Sequence, residues 1–477
     1  MLPPKPLGLA GSILAIGLGF GCAVDPTEGQ AGGAGERPNV VLISLDTLRA
    51  DHVSSYGYAR ETTPNLDALS QRGLLFENCY SGAPWTLASH MTMLTGLYAD
   101  QHQVVAASRA LSPEIPLLAE RFSAGGYQTS ALYFEGWIHQ RHGFQRGFDL
   151  FAKHNHAGVA TKNLEVALEE RDGRPWFLFL HVFDIHSGAI APDTTLIYSP
   201  PPRFQNRFLA GAAEHFAAGD GARLWFGRRA PQAADLEALI ALYDAGIYYV
   251  DGRLGQWLEL LEREQVLDNG VLLVTSDHGE SLGQRQGHLP DHGGLYEEGL
   301  RVPLVAYRGG EGFAPRRIER NVHHVDLVPS LLELCGLESP GYLPGTSLFA
   351  EQDPGPRLFS AVFQRDQAFL APPLKFVDAD HPKRSDWFTD LSADPLELAP
   401  LGSEAPEFAE RSSRLRRDYA ALLDRYPVPG EGPVDVLESM DQAELENMRA
   451  LGYASAVERE AGGNMDDNKP KTAIEDR

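Results

Sequence analysis

Three stretches of the 477-residue chain run apolar and β-branched, then stop on groups that bind cations or move protons. NVVLISLD closes on Asp46, RPWFLFLHVFDIH on Asp184 and His186, and NGVLLVTSDHGE on Asp277 and His278. A fourth stretch, TLASHMTMLTG, predicts a helix that starts with Thr86, Ser89 and His90 and stops at Gly96. Carboxylates and imidazoles that converge on one spot are the donors a divalent metal takes. A helix N-terminus beside them favours an anion. Taken singly, each has a blander reading: an aspartate in a turn, His186 as a satisfied structural histidine, Thr86 as a helix cap. Together they fall on the same edge of one predicted sheet, and that points to a metal-assisted site for an anionic substrate.

The elements that must hold them alternate. TPNLDALSQRG predicts a helix opened by Thr63 and Pro64 and closed by Gly73, and IPLLAERFSAGGYQTSALY repeats helix, glycine turn and strand. Residues 235–265 carry a long amphipathic helix, RVPLVAY a further strand and VDLVPSLLELCG a further helix. This order predicts an α/β fold, a mostly parallel sheet flanked by helices, with ligands at the C-terminal ends of its strands. The expected catalytic domain spans 38–353, followed by a small α+β subdomain over 354–454 and a polar, disordered tail over 455–477. Residues 188–232 lack clear periodicity, hold SPPPRF and are expected to form an insertion over the active-site edge.

The charge balance narrows the partners. Lys and Arg total 41 against 65 Asp and Glu, a formal charge of −24, which repels nucleic acid. A positive site for an anionic substrate must then come from a bound metal. Three cysteines, Cys22, Cys79 and Cys335, make no disulfide framework, and free thiols at Cys79 and Cys335 are preferred to a bridge. At the N-terminus, Lys5 precedes an apolar run from Leu7 to Phe20 that ends in GFGC. This predicts a leader over 1–22 with a lipoprotein-type cleavage before Cys22, the alternative being a plain secretory signal cut near the same point. Residues 23–37 follow as a flexible tether. The expectation is an exported protein of the periplasm or cell envelope that meets the membrane only through a lipid anchor at Cys22.

Several segments, in order from Arg37 to Tyr453, resemble the sulfatase family of the alkaline-phosphatase superfamily. They are RPNVVLISLDTLRADHVSSYGY, TTPNLDALSQRGLLFENCYS, SDHGESLG, HGGLYEEGLRVPLV, FTDLSADPLELAPL and ELENMRALGY. The resemblance implies that Asp46, Asp277 and His278 are metal ligands, with Thr47 standing where other members have a second aspartate. An Asp-His pair at 277–278, where many sulfatases have Asp-Asn, is closer to the phosphoesterase and phosphoethanolamine-transferase relatives. It favours zinc or manganese over calcium or magnesium. His186 and His292 match positions that contact the sulfuryl or phosphoryl oxygens, with His288 a neighbour.

The nucleophile segment departs from the family. Sulfatases have C-x-P-x-R, or Ser in place of Cys, and oxidise that first residue to formylglycine; here the segment is TLASH. Thr86 stands at the nucleophile position, and His90 stands at the substrate-contacting arginine. Oxidation of a secondary alcohol gives a ketone, so Thr86 cannot become the formylglycine aldehyde. A threonine hydroxyl activated as a metal ligand remains good chemistry. The sequence therefore predicts an exported, metal-dependent hydrolase of sulfate or phosphate esters with in-line displacement by a metal-bound Thr86. Its substrate is expected to be a small-molecule, glycan or lipid anionic ester. A phosphoethanolamine-type transferase and a catalytically degenerate binding protein are the alternatives.

Overall fold

The computed structural model describes residues 37–436, apart from 188–195, 217–223, 225–229, 286–293, 311, 351–354, 356, 364, 381–384 and 403–404. The leader, the tether to residue 36, His288, His292 and ELENMRALGY lie outside the described residues.

The apolar runs become strands of one eight-stranded sheet. In chain order these are β1 (Asn39–Leu45), β2 (Leu74–Tyr80), β4 (Gln128–Phe134), β5 (Leu150–His154), β6 (Trp176–Val182), β7 (Gly270–Thr275), β8 (Arg301–Arg308) and β9 (Arg316–His323). A two-residue strand β3 (Arg109–Ala110) pairs with β15 (Val434–Asp435) away from that sheet. The large sheet has the order β5-β4-β6-β1-β7-β8-β2-β9. All its pairings are parallel except those of β8, which runs antiparallel to both β7 and β2.

Alternate residues of one strand enter opposite cores. Val40, Leu42, Phe177, Phe179 and Leu273 face a layer with Leu87, Met91 and Leu331. Val41, Ile43, Leu178, Leu180 and Leu272 face Leu239, Leu254 and Trp257 of the helix Ala233–Arg263. Both faces are covered, which is why these strands read as continuous apolar runs rather than as alternation. The expected helix over 235–265 is therefore present, shifted by two residues.

The strand β2 is a feature that the sequence reading passed over. Gly73, expected to close a helix, instead permits close strand packing: a Cβ there would lie 2.2 Å from the Ala306 carbonyl oxygen of β8. Gly96 does end its helix as expected, in the left-handed conformation at φ 73°.

A second, antiparallel sheet follows, made of β10 (Phe359–Phe363), β11 (Asp366–Ala371), β12 (Leu374–Asp378), β13 (Trp387–Asp390) and β14 (Leu401–Gly402). The helix Phe408–Arg425 joins it through Leu415 and Tyr419. Its core is shared with Tyr80, Tyr98 and Leu300 of the first part of the chain. Cys79 and Cys335 are buried free thiols. Among the described residues no helix is long and apolar enough to cross a membrane.

Candidate active site

Asp46 is the first residue beyond β1, and its amide donates to the Val182 carbonyl of β6 at 2.9 Å. Parallel pairing of β1 with β7 sets Ser44 opposite Thr275, so Ser276, Asp277 and His278 emerge at the same sheet edge. Thr47 sits in the left-handed region at φ 58°, a strained setting for a β-branched residue. Two bonds hold it there: its amide donates to Asp277 Oδ1 at 3.2 Å, and Tyr243 Oη donates to its carbonyl at 2.6 Å.

Donor atoms of Asp46, Asp277 and His278 all lie within 4.8 Å of one another, and all three residues are buried. His278 Nδ1 is 2.7 Å from the Gly279 carbonyl. A carbonyl only accepts, so Nδ1 carries the proton and the Nε2 lone pair faces the carboxylates, 3.5 Å from Asp277 Oδ2 and 3.9 Å from Asp46 Oδ1. Thr86, at the first turn of the helix Thr86–Thr95, places Oγ1 3.4 Å from Asp46 Oδ2 and 3.4 Å from His278 Nε2. Its hydroxyl thus lies between two of the three donors.

Two neighbouring imidazoles complete the cluster. Burial pushes His90 down to about 3 and His181 down to about 4, so both are neutral at pH 7 and bring lone pairs rather than charge. Burial pushes the Asp277 carboxyl up, but the neighbouring His278 ring and the His278 amide, which donates to Oδ1 at 2.8 Å, more than offset it and hold it below the usual carboxylate range. The Asp277 carboxylate, buried beside the neutral rings of His90 and His181, is negative charge that is costly unless a cation offsets it. Two carboxylates plus an imidazole with its lone pair turned inward fit a divalent metal.

The predicted residues are not all gathered at this point. Asp46, Thr86, Asp277 and His278 converge. His186 sits in the turn after β6, where its ring stacks on Phe183 at 3.8 Å and its Nδ1 donates to the Ser187 carbonyl at 2.5 Å. Asp184 faces elsewhere, accepting the Ala157 amide at 2.8 Å at the start of the helix Ala157–Glu169, and burial raises its carboxyl to about 7. His292 lies outside the described residues.

His90, expected to contact the substrate, lies beneath the start of its helix. The residue is fully buried, with Nδ1 2.8 Å from the Thr86 carbonyl and Nε2 3.0 Å from Ser44 Oγ, so both nitrogens are engaged in holding the helix start. Sequence reasoning missed His181, which lies inside β6 with Nε2 2.9 Å from Asp46 Oδ2.

Residues 38–337, more than half of the chain, match the sulfatase family. The multifunctional alkaline phosphatase superfamily protein PehA of Trinickia caryophylli is 26% identical over 501 residues, covering 80% of this chain and 94% of its own. An arylsulfatase of Clostridium perfringens is 24% identical over 487 residues, covering 82% and 98%. The crystal structure of a phosphonate monoester hydrolase of Agrobacterium radiobacter superposes with a TM-score of 0.64 at 21% identity, over 84% of this chain and 99% of that one. With its alkaline-phosphatase-like fold and this match, the chain belongs to the sulfatase family and is a hydrolase acting on ester bonds.

Proposed function

We propose that this protein hydrolyses sulfate or phosphate esters with Thr86 as the nucleophile. The observation that carries the reading is the position of Thr86 Oγ1, 3.4 Å from both Asp46 Oδ2 and His278 Nε2. A divalent ion held by Asp46, Asp277 and His278, with zinc or manganese preferred to calcium or magnesium, would acidify the Thr86 hydroxyl and offset the ester's charge. The N-terminal end of the Thr86–Thr95 helix adds a dipole that favours charge on Oγ1 and on the incoming anion. Thr86 donates toward Asp46 Oδ2, and with the ion bound its proton would pass to solvent, leaving Oγ1 as the attacking oxygen. A bond forms from Oγ1 to sulfur or phosphorus while the ester oxygen leaves as an alcohol, protonated by solvent. Water then cleaves the threonine ester and restores the hydroxyl. His186 and His292 are assigned the non-bridging oxygens of the transferred group.

Similarity to a multifunctional alkaline phosphatase superfamily protein and to an arylsulfatase supports leaving both ester classes in the reading. The substrate is a small-molecule, glycan or lipid ester, and the mature protein is exported and acylated at Cys22. Metal analysis combined with turnover of aryl phosphate, phosphodiester and sulfate esters tests the proposal. Asp277→Ala is expected to lose both metal and activity, and full metal content in that variant would overturn the ligand set. An intact Met1 terminus on cytoplasmic protein would overturn the export.

A further inference from the structure

The turn after Asp46 is zipped to the loop that carries Asp277 and His278. The Thr47 amide donates to Asp277 Oδ1 at 3.2 Å, and the Leu48 amide donates to Ser276 Oγ at 2.9 Å. Ser276 Oγ in turn donates to the His278 carbonyl at 2.7 Å. Both bonds between the loops require Thr47 to stay at φ 58°, in the left-handed region that a β-branched side chain resists.

Tyr243, of the helix Ala233–Arg263, holds that turn. Its hydroxyl donates to the Thr47 carbonyl at 2.6 Å and accepts the Arg49 amide at 3.0 Å, so it bridges the residues on either side of Leu48. The ring is fully buried, with His52 and Tyr198 edge-on to it at ring-centre distances of 5.1 and 5.3 Å. Burial pushes its phenol well above the ordinary value, so the proton stays in place to donate. The next residue of the helix, Asp244, grips the chain further on. It accepts from His52 Nδ1 at 2.7 Å, from the Tyr58 hydroxyl at 2.8 Å and from Arg60 at 2.7 Å.

The consequence falls on the two oxygens of Asp277. Oδ1 accepts two amides, that of Thr47 at 3.2 Å and that of His278 at 2.8 Å, which commits its lone pairs. Oδ2 is buried, accepts no hydrogen bond among the described residues and lies 3.5 Å from His278 Nε2. One oxygen is thus tied to the backbone, and the other is left for a cation.

We infer that Tyr243 is a positioning residue that sets the choice of metal: by holding Thr47 in its left-handed turn it keeps Asp277 Oδ1 occupied and restricts Asp277 to one ligating oxygen. The inference rests on the ligand set proposed above. Calcium takes about six to eight oxygens and often binds a carboxylate through both of its own. Zinc is satisfied by about four donors. Asp46, Asp277, His278 and Thr86 supply that number with one atom each, so the Tyr243 staple favours zinc over calcium.

The test titrates the full chain, stripped of metal, with zinc and with calcium separately. Tyr243→Phe keeps the ring and removes both bonds. It is expected to weaken zinc binding by about 10–100-fold, the scale of lost support behind a metal ligand, and to leave calcium binding unchanged or tighter. The ratio of zinc to calcium affinity should then fall by about tenfold or more. Glycine takes a left-handed turn without strain, so Tyr243→Phe/Thr47→Gly should regain part of that ratio. A ring that only fills the core would weaken both ions alike, so an equal loss for the two overturns the inference. So does a double variant no better than Tyr243→Phe. A crystal structure of the zinc-loaded parent needs no variant: Oδ1 is expected to keep both amides while Oδ2 meets the ion, and Oδ1 bonded to the ion overturns the inference. The ligand set is tested separately. A parent that binds neither ion overturns that set, whereas a parent that binds zinc with a ratio unmoved by Tyr243→Phe overturns the role of Tyr243 alone.

Discussion

His181 Nε2 lies 2.9 Å from Asp46 Oδ2, with both side chains closed off from solvent. The pairing follows from register: Ser44 of β1 stands beside His181 of β6, and Asp46 is two residues further on. A carboxylate accepts, so a neutral His181 donates from Nε2 and fixes the rotation of the Asp46 carboxyl toward His278. Partners of this kind orient metal ligands, and their loss costs roughly 10–100-fold in metal affinity or activity. His181→Ala is expected to weaken divalent-metal binding in a competition titration by that factor, and turnover with it. His181→Gln, which keeps an N–H donor, should recover part of both. Unchanged metal affinity in His181→Ala would remove His181 from the support of the site.

Thr86 gives the sharpest separation between chemistry and structure. The N-cap position of its helix is Trp85, which makes no side-chain cap bond, and Thr86 is the first helical residue, so it does not fill the capping role that competed with catalysis. Thr86→Ala is therefore expected to shift stability by less than about 1 kcal/mol. Its turnover should fall by roughly three orders of magnitude or more, the scale of other nucleophile deletions. Thr86→Ser keeps the hydroxyl and should retain part of the rate. A folded, metal-loaded Thr86→Ala protein with near-normal turnover would leave water as the nucleophile.

What the sequence made legible were the tips of the strands. Asp46, Asp277 and His278 each follow an apolar run, and Thr86 opens a helix, so fold and donor set could be read together. His181 could not, because a strand buried on both faces has no polar side to mark an inward-facing histidine. Its signal was the registry of two neighbouring strands, which a single sequence does not print. The neighbours of His90 were hidden for a related reason, since the helical spacing of four residues puts its Nδ1 under the Thr86 carbonyl.

Acid should destabilise the fold through histidines remote from the catalytic cluster. His102 is buried, with Nε2 3.2 Å from Thr92 Oγ1 and Nδ1 accepting the Val104 amide at 3.0 Å, and burial lowers its pKa from 6.5 to about 3. Between these values the unfolded chain holds the proton and the native one does not. The contribution is thus complete above pH 6.5 and is lost as pH falls toward 3. Its slope is about 1.4 kcal/mol per pH unit. Urea unfolding across this window should show His102→Gln with a shallower dependence than the parent, by roughly one proton. Identical slopes for the two proteins would contradict the buried neutral state of His102.

Lys375 of β12 supplies the last prediction. Its side chain is fully buried, with Nζ 2.7 Å from Glu397 Oε2 and 3.2 Å from Glu297 Oε1. Glu397 Oε2 also accepts the Glu297 amide at 2.7 Å, so one ammonium and one carboxylate tie the second sheet to the segment that leads into β8. Burial raises the Glu297 carboxyl, and Lys375 is the chief opposing influence. Lys375→Met removes the only charge that offsets this carboxylate pair from within β12, and such a deletion costs about 3–5 kcal/mol. The loss should be largest near pH 7 and ease as pH falls and the carboxyls take up protons. Lys375→Met/Glu397→Gln, which also removes one of the stranded charges, should regain part of it. A urea midpoint for Lys375→Met equal to that of the parent at pH 7 would mean that the second sheet is held by its apolar core alone.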